Sequence, residues 1–354
     1  MLLLYFTFPP GSPNEGAREE TMKTITKSLG ALMLGTTLVL SSSVMSLAAE
    51  KMRISLQLPL KSHLGQNLAL FEKEVEERTE GAIDVEIYDS AQLYKDKEVP
   101  AAVGSGSIEA GVASLTRYVG DVPAVDVFYM PFLLNSEEKV RAAVAKGSPI
   151  RSALEEAIAE TGGQILYWQA YGGAVLLSNG GPIKTPADLV GKKVRVFGKT
   201  LGDFVTAAGG APTLISGSEQ YLAYQRGTVD VGMTGVSGVK SRKLWEVMDT
   251  ITVTNHADIE FVVVVNSKWW NGLSEELRGQ IEAAAKVAED TVRDDMAGIE
   301  AAAYESAKEA GMTVYTPTDA EIEAWKAASQ PVYDSFVSGS GELGAKVLDA
   351  AKKM

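Results

Sequence analysis

Strand-like and helix-like patterns alternate along almost the whole chain, which restricts the fold to a sheet covered by helices. Residues 53–58 predict a strand, and the next apolar positions, Leu64, Leu68, Phe71 and Val75, fall on one helical stripe. Gly81 ends that helix. Residues 82–88 then alternate Ile83, Val85 and Ile87 with Asp84, Glu86 and Tyr88, as a half-buried strand does. Residues 108–114 and 164–171 predict further strands, the second after a helix that begins near Ser136. Such a βαβ rhythm predicts a mainly parallel sheet.

A second unit starts near Gly172. Thr185-Pro186 opens a short helix, with a capping hydroxyl before a proline at the first helical position. Strands are predicted over 192–197 and 229–234, and helices over 200–208 and 218–226. The unbroken apolar run 259–265 predicts a central strand buried on both faces. Ser274 caps a helix with Leu277, Ile281, Ala284, Ala288 and Val292 on one face. Unbroken to Gly311 it would span on the order of 50 Å, more than one small domain. It is expected to brace two units joined by strands, since no low-complexity linker separates them.

The chain lacks cysteine, which excludes a disulfide framework, a thiol nucleophile and a thiolate metal site. A net charge of -13 disfavours nucleic acid and anionic membrane as partners, but a local basic pocket can still hold a small anion. From Met22 the sequence reads as a secretory leader: basic Lys23 and Lys27, an apolar stretch over 29–40, then small Ser46 and Ala48. Residues 1–48 are therefore expected to be an upstream extension plus signal peptide, cleaved between Ala48 and Ala49, with a periplasmic product.

Catalytic and cofactor motifs are scarce. His63 and His256 fit no zinc spacing, no cofactor is implied, and Gly104-Ser105-Gly106 lacks a third glycine and reads as a helix end. Glu76-Glu77 and Asp294-Asp295 read as solvated helix faces. Arg195 lies between Val194 and Val196, so period two turns it to the opposite face. There it clamps an anion bidentately, pairs with a helix carboxylate, or is an ordinary surface arginine. Arg117, just past the strand 108–114, is either a crevice residue or an ordinary loop arginine. Trp168, Tyr171, Phe197 and Tyr221 are either pocket walls or core. Thr234 either bonds a ligand or caps a turn.

Seven stretches, in order, resemble one family: Ser90-Ala91-Gln92-Leu93, Gly106-Ser107-Ile108-Glu109, Gln169-Ala170-Tyr171, Gly191 to Val196, Ser218 to Ala223, Gly227-Thr228-Val229-Asp230 and Thr254-Asn255-His256. From about Met52 to Val337 the chain resembles the substrate-binding subunits of tripartite ATP-independent periplasmic (TRAP) transporters, of the dicarboxylate-receptor (DctP) type. The resemblance implies an α/β fold of two lobes around a ligand cleft, with hinge strands and a long bracing helix. It divides the chain into 49–172 with 261–300, and 173–260 with 301–354.

The same resemblance makes Arg195 the carboxylate clamp and matches Arg117 and Thr234 to ligand-facing positions, with Gln57 and Tyr118 completing the cleft. It implies a monomeric receptor, not an enzyme. The receptor would bind a small organic anion and deliver it to the small and large TRAP membrane subunits for ion-gradient-driven uptake. A sulfonate or compatible-solute receptor, or an enzyme acting on an organic acid, are the alternatives. Acidic-sugar receptors carry a second arginine where this chain has Val175, an aromatic where it has Gly217, and an asparagine where it has Thr234. Those departures predict a less polar surround and a smaller or more apolar acid.

Overall fold

The computed structural model describes residues 49–354, so the leader assigned to residues 1–48 lies outside the described part. The strands are β1 (Glu50–Ser55), β2 (Ile83–Tyr88), β3 (Ala110–Ser114), β4 (Gly163–Ser178), β5 (Lys193–Val196), β6 (Ala211–Leu214), β7 (Gly232–Gly235), β8 (Thr250–Thr252), β9 (Asp258–Asn266) and β10 (Thr313–Tyr315). Eight form one sheet in the order β10-β8-β4-β9-β3-β1-β2, with β7 also paired to β4. β5 and β6 pair in parallel, and Val194 bridges to Val231, just before β7.

β4 is common to both halves. Its residues 163–173 pair with β9, and residues 174–178 pair with β7 and β8. The sheet is mixed, which corrects the expected mainly parallel arrangement: β9 runs antiparallel to both β3 and β4. Its apolar run signals burial on both faces, and Val262 to Val265 are fully buried, but such a run carries no information about direction. The chain changes halves at Gly172-Gly173. Gly172 has φ +91°, and a Cβ there would stand 2.4 Å from Glu300 Oε1.

Serine side chains cap four of the helices. Ser62 Oγ accepts from Gly65 N and starts the helix His63–Arg78, whose buried stripe includes Leu64, Leu68, Phe71 and Val75. The region after Ser136 is two helices, Glu137–Val144 and Pro149–Ala159, because Ser148 and Pro149 supply a second start signal. Ser274 caps the helix Glu275–Glu309, about 50 Å long at the usual rise. This helix packs on His63–Arg78 in the first half and on the short helix Val236–Ser241 in the second. Arg293 on its inner face forms a bidentate ion pair with Glu260 of β9, at 2.5 and 2.8 Å.

The C-terminal part does not all stay with the second half. Gln330–Gly339 packs on the helix Lys199–Ala207, but Gly341–Ala351 packs on Pro123–Tyr129 and Pro149–Ala159 of the first half. Its buried Val347, Leu348 and Ala351 fix that placement. Among the described residues, no helix is long and apolar enough to cross a membrane.

A candidate anion site between the two halves

A small cavity of about 20 Å³ lies where both halves meet, lined from the first half by Gln57, Asp96, Ser114 and Phe261, with Ile259 beside the crossing. Tyr171, Arg195, Phe197, Gly217, Thr234 and Arg242 complete it. Gln57 and Ser114 sit at or just past the carboxyl ends of β1 and β3, where open α/β sheets bind ligands.

Arg195 enters from β5. Its neighbours Val194 and Val196 face the core, and its own side chain is 3 % exposed. Nε donates to Ile215 O at 3.0 Å and one terminal nitrogen donates to Met233 O. The guanidinium carbon lies 5.1 Å from the Phe197 ring centroid, a cation–π contact. Among the described residues no carboxylate lies within 4.0 Å of it. Burial brings its pKa down to about 10, and the like charges of Arg242 and Arg117 push the same way, against an upward pull from Tyr224. This arginine is oriented by carbonyls and neutralised by nothing.

Arg242 was not singled out from the sequence. It follows the helix Val236–Ser241 and reaches the cavity through space left by two glycines. A Cβ on Gly217 would stand 2.9 Å from its NH1, and one on Gly238 would stand 2.3 Å from its NH2. NH2 donates to Tyr171 Oη at 3.1 Å and to Thr234 Oγ1 at 3.2 Å. With the Gln220 amide turned so that its oxygen faces the guanidinium, that oxygen accepts from Nε at 2.9 Å and from NH2 at 2.6 Å. All these acceptors are formally neutral. The expected less polar surround is therefore corrected: the missing aromatic at Gly217 admits a second cation.

The remaining predicted residues divide. Gln57, Tyr171, Phe197 and Thr234 line the cavity, and Gln57 Oε1 is buried without a partner. Arg117 stands behind the wall, its Nε donating to Asp96 Oδ2 at 2.5 Å while Ser114 N and Oγ bond the same carboxylate. Tyr118 is buried away from the cavity, its hydroxyl unpaired. Tyr221 lies outside and donates to Glu246 at 2.8 Å, since its position on Gln220–Gln225 faces the solvent edge. Val175 is buried in an apolar cluster with Leu177 and Val229. His63 packs on Tyr171 at 5.2 Å, and burial lowers its pKa to about 4, so it faces Tyr171 uncharged near neutrality.

A family model described as bacterial extracellular solute-binding protein, family 7 (DctP), matches residues 54–339. The chain belongs to this family. Among its relatives is the C4-dicarboxylate-binding periplasmic protein DctP of Rhodobacter capsulatus, 31% identical over 92% of this chain and 97% of that protein. A TRAP periplasmic solute-binding protein from Sulfurospirillum deleyianum, solved with bound succinate, is 26% identical, with TM-score 0.78 over 85% of this chain and 99% of that one. Another from Sulfitobacter sp. NAS-14.1, solved with β-D-galacturonate, shares the fold at TM-score 0.81 and 24% identity, covering 86% of this chain and 100% of that one. This family-7 chain therefore has the two-lobed α/β architecture of TRAP substrate-binding proteins.

Proposed function

We propose that the protein is a periplasmic receptor that closes over a small organic anion, a carboxylate, and presents it to TRAP membrane subunits without chemically altering it. The observation that carries this reading is Arg195, a buried guanidinium held by carbonyl oxygens with no carboxylate among the described residues to balance it. An unpaired buried charge is costly, and a bound anion removes the cost.

Closure follows from the lining. Gln57 and Ser114 belong to the first half, Arg195 and Thr234 to the second, so a ligand contacting both favours the closed arrangement over the open one. In this reading the lobes comprise 49–172 with 261–300, and 173–260 with most of 301–340, the last helix belonging to the first. Residues 1–48 direct export and are removed before Ala49, and the mature receptor works as a monomer.

The test is a thermal-shift screen of the chain from Ala49 against organic acids, sulfonates and osmolytes, repeated on Arg195→Ala. Ligand at a hundred times Kd stabilises by about 2.7 kcal/mol. Carboxylates are expected to shift the wild type and not the variant. A shift by osmolytes alone, or an unchanged shift in the variant, overturns the proposal.

A further inference from the structure

The helix Lys199–Ala207 of the second half starts without a cap of its own. Gly198 stands at its N-cap position and has no side chain to offer. A Cβ there would lie 2.4 Å from Thr116 Oγ1 and 3.2 Å from Thr116 Cβ of the first half, so a capping serine, threonine or aspartate would crowd that residue. The missing acceptor comes from across the interface. Asp126, in the segment Pro123–Tyr129 of the first half, accepts from Thr200 N through Oδ2 at 3.1 Å. Its side chain is 1 % exposed. Tyr129, at the end of the same segment, meets Phe197 edge to face with ring centroids 5.9 Å apart.

Phe197 and Arg195 line the anion cavity, and Gly198 follows directly. The stretch 195–200 therefore joins the buried guanidinium to a helix start that only the first half completes. A solute that holds the halves together keeps the cap in place, and separation of the halves removes it. A second cross-half contact, Lys95 to Glu219 at 2.8 Å, is exposed on both sides and contributes little. Charge is not what Asp126 supplies. Its Oδ1 has no partner among the described residues, and burying a carboxylate with one oxygen unsatisfied opposes closure. What favours closure is the hydrogen bond to Thr200 N, because Thr200 is itself buried and its N–H would otherwise be left without a partner once water is excluded.

We infer that Asp126 is a closure latch, a positioning residue that does not touch the solute but sets how long the closed arrangement lasts by capping a helix of the opposite half. The inference rests on the reading that the halves close over a solute, and it holds for any solute class. Gly198 is the other part of the device: its missing side chain admits Thr116 and leaves the cap to Asp126.

The chain has no cysteine, so Glu77→Cys and Gln225→Cys, at exposed positions on the two halves, accept a pair of spin labels at defined sites. Electron–electron distance measurements on the labelled mature chain give the closed fraction. Stopped-flow mixing gives association and release rates. The probe is whichever of succinate, lactate, gluconate, taurine and glycine betaine binds the wild type most tightly. D126A is expected to raise the release rate by about fivefold or more and to lower the closed fraction, with association within about twofold. D126N keeps an acceptor of the same size and should release within about twofold of the wild type. K95M, which breaks the exposed contact, should do the same. A melting curve establishes that each variant is folded; should D126A not be, Asp126→Ser, too short to reach Thr200 N, takes its place. Unchanged release and closed fraction in the variant without the cap overturn the latch while leaving closure over a solute intact. So does a D126N variant that releases as fast as D126A. A wild type that closes on none of the five probes removes the closure reading and the latch together.

Discussion

Glu260 of β9 and Arg293 of the long helix are joined by two parallel hydrogen bonds of 2.5 and 2.8 Å, and Glu260 is fully buried. The pair fastens the brace to the strand shared by both halves, close to the Gly172-Gly173 crossing. Removing one partner leaves the other charged and dry. Arg293→Met is expected to cost about 3–5 kcal/mol in urea unfolding, whereas replacing both residues by apolar ones of similar volume should cost much less. Equal losses in the single and double variants would show that packing, and not the unpaired charge, sets the penalty.

Acid should loosen the fold through its two histidines. His256 stacks on Phe204 at 4.9 Å, fully buried, with a pKa lowered by burial to about 3; that of His63 is lowered to about 4. Both folded values lie below the unfolded value near 6.5, so the unfolded chain takes up protons first. Their stabilising contribution is complete above that value and is lost as pH falls towards the folded ones. Between pH 7.5 and 5 each histidine should account for about 2 kcal/mol of lost stability. His256→Gln should flatten that slope by about this amount in urea titrations at the two pH values.

Gly238 is required by the site and not by its backbone geometry. A Cβ there would meet Arg242 NH2 at 2.3 Å, Tyr171 Oη at 2.4 Å and Thr234 Oγ1 at 2.9 Å. Gly238→Ala should therefore lower affinity for the cognate acid by about tenfold or more by displacing Arg242, with an overpacking cost to stability of about 1–3 kcal/mol. Calorimetric titration beside a melt separates the two effects, and unchanged affinity would contradict the assigned position of Arg242.

Gly279 and Gly298 offer the opposite case. Both are exposed within the helix Glu275–Glu309, and a Cβ at either meets nothing within 4 Å. Alanine at each should raise stability by about 1 kcal/mol with ligand affinity unchanged.

Much of the fold was legible because local pattern reports local structure. The stripe Leu64–Leu68–Phe71–Val75, the alternation of Ile83 and Val85, and the serine caps each gave an element near its observed place. Direction was not legible: the Val-rich run of β9 is equally apolar whichever way it runs. In the site, Arg195 stood out as a charge within a strand of valines. Arg242 did not, because nothing in Lys240-Ser241-Arg242-Lys243 distinguishes it from a solvated helix end. Its significance comes from Gly217, 25 positions earlier, whose missing side chain is an absence that periodicity cannot register. Tyr221 was misplaced for a related reason: its helix has one face to the cavity side, occupied by Gln220 and Tyr224, and Tyr221 turns outward.

The enclosure of the cavity has a consequence for timing. Gln57, Tyr171, Arg195, Thr234 and Phe261 are each no more than 5 % exposed. In the proposed receptor a solute held among these side chains is released as the halves part. Release would then depend on the β4 and β9 backbone at the crossing formed by Gly172 and Gly173, which do not line the cavity, so substitutions there are expected to change how quickly cargo is surrendered more than how it is contacted.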